Sequence, residues 1–88
     1  MKNKIRGYVY FTDAGHGWLR VKKTELEALG IADQITPYSY QYNNWAYLEE
    51  DRDMSTFFKA KGWDYWPNTI KQVCSNYSKI RSYQCYQK

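Results

Sequence analysis

The sequence predicts a small α+β domain: two antiparallel β-hairpins forming a small sheet, two short helices, and an ordered C-terminal tail. Three observations carry this expectation. Two stretches alternate apolar with polar residues around turn-forming residues. Each is followed by a short segment of helical spacing closed by glycine. A length of 88 residues leaves room for one modest core, so residues 1–88 are read as a single domain.

Ile5 to Phe11 (IRGYVYF) is rich in β-formers and alternates large apolar residues with small or polar ones. Asp13-Ala14-Gly15-His16-Gly17 has the composition of a turn, and Trp18 to Lys22 (WLRVK) alternates again, which completes a hairpin. Thr24 and Glu27 have the spacing of a capping box, Leu26 and Leu29 share a face, and Gly30 supplies the stop, so a two-turn helix is expected with Ile31 folding back on it. Tyr38 to Tyr42 (YSYQY) and Trp45 to Glu49 (WAYLE) flank Asn43-Asn44 and read as a second hairpin, because asparagine tolerates the left-handed conformation of such turns. An aspartate within Glu50-Asp51-Arg52-Asp53 is expected to cap a helix from Met54 to Lys61, with Phe57, Phe58 and Ala60 on its buried side and Gly62 at its end. Trp63 to Trp66 is compatible with a further strand before Pro67. From Asn68 onward, apolar residues recur about every third position; a helix and an extended arm both fit that spacing, and the segment is read as an ordered, partly extended tail packed on the domain.

Composition favours a folded chain, with 43% hydrophobic and 25% charged residues. Aromatic residues are abundant: ten Tyr, four Trp and three Phe, or 19%. Each buried ring removes roughly 150–250 Å² from water. A chain this short cannot hide them all, so some rings are expected at the surface. There they supply contact area at low entropy cost, and self-association is an expected possibility. No apolar run approaches the roughly 18 residues of a membrane span, and the N-terminus lacks a secretory signal pattern, which points to a cytoplasmic protein. Cys74 and Cys85 read as free thiols, although the loop between them could be closed. With a single histidine they make no convincing zinc site, so neither a metal nor another cofactor is expected.

Charge is laid out in blocks. Residues 1–23 carry six Lys/Arg against Asp13, residues 24–58 carry seven acids against Arg52, and residues 59–88 carry six Lys/Arg against Asp64. If the basic ends meet, the molecule is bipolar. The acidic, ring-rich centre supplies the candidate protein-binding residues Tyr38, Tyr40, Tyr42, Trp45, Tyr47, Glu49, Glu50, Asp51 and Asp53. Such a patch imitates the charge of nucleic acid and suits a basic groove on a partner protein. The first hairpin supplies candidate nucleic-acid contacts, with Lys4, Arg6, Arg20 and Lys22 for phosphates and Tyr8 and Trp18 for stacking. His16 between two glycines could take part in chemistry, but a histidine capping its own turn is the simpler reading. The acidic run lacks the spacing of a Ca²⁺ loop and is explained more simply by a helix start. No catalytic constellation emerges, and the chain is expected not to be an enzyme.

The segments DAGHGWLRV (13–21), YSY (38–40), AYLEEDRD (46–53) with Phe57, and NYSKIRSYQCY (76–86) together resemble a family of small bacteriophage and mobile-element proteins. Their tails often end in Ser-x-Ile-Arg-x-Tyr. The resemblance spans most of the chain and implies no catalytic residues. It implies an accessory protein that binds a host macromolecule, a protein or protein complex, in the bacterial cytoplasm. Inhibitors of defence systems, anti-CRISPR proteins among them, are typical of that class. The alternative expectation is a nucleic-acid-binding module using the basic first hairpin.

Overall fold

Alternation along the first hairpin sorts its side chains onto two faces of a sheet. In the computed structural model, which describes residues 8–63, 70–75 and 78–88, β1 (Val9–Thr12) runs antiparallel to β2 (Gly17–Lys22). Tyr10 lies opposite Leu19 and Phe11 opposite Trp18. The expected first strand began at Ile5; residues 5–7 lie outside the described residues. After α1 (Lys23–Ala28) and a 3-10 turn (Ala32–Gln34), the second hairpin pairs β3 (Tyr40–Tyr42) with β4 (Trp45–Glu49). Asn43 takes the left-handed conformation at its tip, with φ of 55°. β4 also pairs antiparallel with β2, which joins the two hairpins into one sheet.

Both helices are closed as glycine predicts, but neither starts as expected. α1 ends in a Schellman motif: Gly30 has φ of 73°, its N–H reaches the Glu27 carbonyl, and the Ile31 N–H reaches that of Leu26. Ile31 and Leu26 are both buried, so the fold-back of Ile31 is observed. The capping box is not. Lys22 occupies the cap position without a side-chain bond, because Thr24 already lies inside the first turn. α2 (Asp53–Lys61) closes in the same way at Gly62, and Trp63 packs on Phe58 with ring centroids 5.3 Å apart. Trp63 therefore finishes a helix rather than beginning a strand. Residues 64–66 lie outside the described residues. The buried side of α2 is Asp53, Met54 and Phe57, whereas Phe58 is half-buried and Ala60 exposed. One turn beyond Phe57 it is Lys61 that faces inward, where its ammonium pairs with Glu25 of α1 at 2.7 Å.

The tail contributes more sheet than its sequence suggested. β5 (Lys71–Cys74) adds parallel to β1, and β6 (Gln84–Cys85) adds antiparallel to β3, giving a six-stranded mixed sheet in the order β5-β1-β2-β4-β3-β6. These two strands sit at opposite edges, so the chain between them crosses the sheet. One face carries Leu19, Val21, Ala46 and Leu48, covered by Leu26, Met54 and Phe57 of the helices and by Ile31, Ile35, Ile70 and Tyr86. The other face carries Trp18 and Tyr47, covered by Ile80 of a second 3-10 turn (Lys79–Ser82). Phe11, Tyr40, Trp45 and Tyr83 pack around that cluster. Cys74 and Cys85, on opposite edges, are both free thiols. Among the described residues, no helix is long and apolar enough to cross a membrane.

Candidate functional site

Where the tail crosses the sheet, a carboxylate anchors it. Asp13, in the turn between β1 and β2, accepts from the backbone N–H groups of Gly15 and His16 at 3.0 and 3.1 Å. The same carboxylate accepts from the Ser78 N–H at 3.0 Å and from Arg81 through Nε at 2.6 Å and a terminal nitrogen at 2.8 Å. The Arg81 guanidinium, then the Ser78 N–H and the turn amides, hold the Asp13 carboxyl well below the usual carboxylate range, with desolvation opposing them. The turn is thus capped by Asp13 and not by His16, which is exposed with its ring centroid 6.1 Å from that of Trp18.

Arg81, fixed by Asp13, lies 5.4 Å over the Trp18 ring. Beside it opens a cleft of about 370 Å³. Trp18, only 3% exposed, contacts Tyr40 edge-on at 6.2 Å within its lining. His16 and Arg81 line it together, and Tyr38, Glu49, Asp51 and Arg52 complete the wall. Tyr38 is 74% exposed. It follows Pro37 in a turn closed by the Ser39 N–H on the Thr36 carbonyl, a position that pushes its ring outward.

The acidic run does not gather into one patch, because three of its carboxylates serve the fold. Glu49 accepts from the N–H groups of Asp51, Arg52 and Asp53 at 2.6–2.9 Å and so caps α2, the role expected of an aspartate. Asp53 is fully buried. Its Oδ2 accepts from the Thr36 N–H at 3.0 Å, the Thr36 hydroxyl at 2.7 Å and the Ser39 hydroxyl at 2.5 Å. Ser39 in turn accepts from the Glu49 N–H, which ties both hairpin and helix to one buried network. Glu50 accepts from the Tyr10 hydroxyl at 3.0 Å. Only Asp51, with Arg52 beside it, stands exposed at the cleft rim. Among the described residues, no three His, Cys, Asp or Glu are placed to hold a metal ion.

The remaining candidates divide between the two faces. Tyr42 is half-exposed and stacks on Tyr83 at 4.8 Å, while Tyr47 is buried at 5% exposure. Trp45 lies beneath the Arg20 guanidinium at 4.2 Å, with the Lys22 ammonium 6.0 Å from the same ring. Tyr8 belongs to the helix side, where it donates to Glu25 and packs edge-on against Phe57 and Trp63. The expected nucleic-acid surface is therefore split, with Tyr8 on one face and Trp18, Arg20 and Lys22 on the other. Lys4 and Arg6 lie outside the described residues.

Sequence reasoning passed over Arg52, Arg81 and Ser78. The signal for the last two was the SKIRSY segment: Ser78 caps its turn, Ile80 is buried, Arg81 pairs with Asp13, and Tyr83 stacks on Tyr42. Comparison with protein-family models, curated proteins and solved structures returned no match.

Proposed function

We propose that the protein is a small binding protein that engages a host macromolecule, in the first instance a protein, through the cleft between Tyr38 and Arg81. The observation that carries this reading is the Tyr38 ring, 74% exposed at the mouth of a cleft walled by Trp18 and Tyr40. Exposed tyrosine on a rigid turn, beside buried aromatic walls and a rim of both charges, matches the make-up of interface hot spots. Asp51 and Arg52 supply the rim charges and fix the register of a partner. The resemblance to phage accessory proteins supports this reading and, with it, action in the bacterial cytoplasm, an inhibitor of a defence system being one form such a protein takes.

A protein partner is favoured over nucleic acid by how the rings are used. Trp18 is buried, Trp45 is covered by Arg20, and Tyr8 faces the helices, so among the described residues no row of free rings lies beside the basic side chains of the first hairpin. Affinity capture from a bacterial lysate with nuclease treatment, comparing wild type with Tyr38→Ala, tests the reading. Capture of one protein by the wild type and its loss with Tyr38→Ala is expected. Capture of nucleic acid alone, with steep salt dependence in fluorescence polarisation, overturns it.

A further inference from the structure

The second face of the sheet holds another cavity, of about 500 Å³, between β1, β2, β4 and the crossing tail. It is distinct from the cleft described above. The rings of Phe11, Tyr47 and Tyr83 and the side chain of Ile80 line it, together with two cations, Arg20 and Lys79. No carboxylate is among the described residues lining it. The Arg20 guanidinium lies 4.2 Å from the Trp45 ring centroid and 5.9 Å from that of Phe11. Its Nε is buried and has no hydrogen-bond acceptor among the described residues. Arginine's planar guanidinium stays charged and matches an oxyanion in two-point fashion. The polar ends converge: burial first, and then neighbouring Tyr83, raise the Tyr47 hydroxyl above its ordinary pKa, while Arg20 pulls it the other way. Ring walls with a few convergent polar groups, at this volume, are the usual anatomy of a small-molecule site.

We propose that this cavity binds a small ligand carrying a single oxyanion, phosphate or carboxylate, on a flat ring. The anion meets the charge of the Arg20 guanidinium and the Lys79 ammonium, and the ring lies against Phe11, Tyr47 and Tyr83. The proposal stands independently of the cleft and of its macromolecular partner.

Isothermal titration of the full chain tests it with phenyl phosphate and benzoate as ring-borne anions, and with inorganic phosphate and phenol as the separated halves. Saturable binding of phenyl phosphate or benzoate, tighter than either half, is expected. Which of the two binds names the anion. Arg20→Gln weakens that binding about tenfold or more, the scale of a lost charge-assisted hydrogen bond. Lys79→Gln, at an exposed position, weakens it several-fold without disturbing the fold. Absence of saturable binding by both ring-borne anions overturns the proposal, and so does equal affinity for inorganic phosphate. Unchanged affinity in folded Arg20→Gln overturns it too. If Arg20→Gln does not fold, unchanged affinity in Lys79→Gln has the same force.

Discussion

Replacing Asp53 with alanine removes the acceptor at the centre of the buried network that joins the second hairpin to α2. Oδ2 takes three donors, the Thr36 N–H, the Thr36 hydroxyl and the Ser39 hydroxyl, at 3.0, 2.7 and 2.5 Å. A hydrogen bond to a charged group contributes about 1.5–3 kcal/mol, and a buried donor left unpaired costs about 1–3 kcal/mol. The hydroxyls can rotate toward other acceptors, whereas the Thr36 N–H cannot, so the loss is set at about 3–5 kcal/mol rather than the full sum. A domain of this size is stable by about 5–15 kcal/mol, so the variant loses roughly a fifth or more of its stability. Asp53→Asn keeps an oxygen for the same donors and places its amide at Oδ1, which has no partner among the described residues. It loses the charge assistance and buries amide donors with no acceptor among the described residues, each change costing about 1–3 kcal/mol. Urea unfolding followed by tryptophan fluorescence measures both. An Asp53→Ala unfolding free energy within about 0.5 kcal/mol of wild type, the range of surface substitutions, refutes the network account.

Three other outcomes follow from the same geometry. The depressed Asp13 carboxyl stabilises the fold fully above its unfolded pKa of about 3.9 and loses that contribution as pH falls through its folded value. Asp13→Asn is accordingly less stable than wild type at neutral pH, and the gap narrows in acid-unfolding curves below about pH 4; a gap constant into strong acid contradicts the clamp. Burial first, and then the bond to Glu50, push the Tyr10 phenol up to about 12, so its stabilising contribution is present below about pH 10 and lost as pH rises through the folded value. Tyr10→Phe should delete a late step from the ultraviolet titration, and deletion of an ordinary one refutes this. A Cβ on Gly17 falls on the Tyr10 hydroxyl and 3.0 Å from the Glu50 carboxylate, so Gly17→Ala costs about 1–3 kcal/mol and returns Tyr10 toward its ordinary pKa. Thermal unfolding and titration identical to wild type exclude that packing.

Local signals were legible where chemistry is local. Alternation gave both hairpins and the bounds of β4, and Gly30 and Gly62 gave both helix ends, because left-handed backbone favours glycine. Helix starts were misread, since the cap of α2 comes from Glu49, whose role depends on where β4 ends relative to the helix. The tail was harder still. β5 and β6 are four and two residues long, and they acquire strand character by pairing with sheet edges formed far earlier in the chain. The acidic run shows the same limit for the site. Its residues are adjacent in sequence, yet Glu50 and Asp53 turn to partners elsewhere, and the cleft joins Glu49 and Asp51 to His16, Tyr38 and Arg81 from distant parts of the chain. Of the Asp13–Arg81 pair, sequence showed both residues and no reason to join them, because only the crossing of the tail does so.

The most direct test of the central proposal is affinity for the captured partner, measured with wild type, Tyr38→Ala and Arg52→Ala under matched stability. The account predicts a loss of about 2 kcal/mol or more for Tyr38→Ala, the size of a hot-spot truncation. For Arg52→Ala it predicts a smaller, salt-dependent loss concentrated in the association rate. Equal affinity across all three proteins contradicts binding through this cleft.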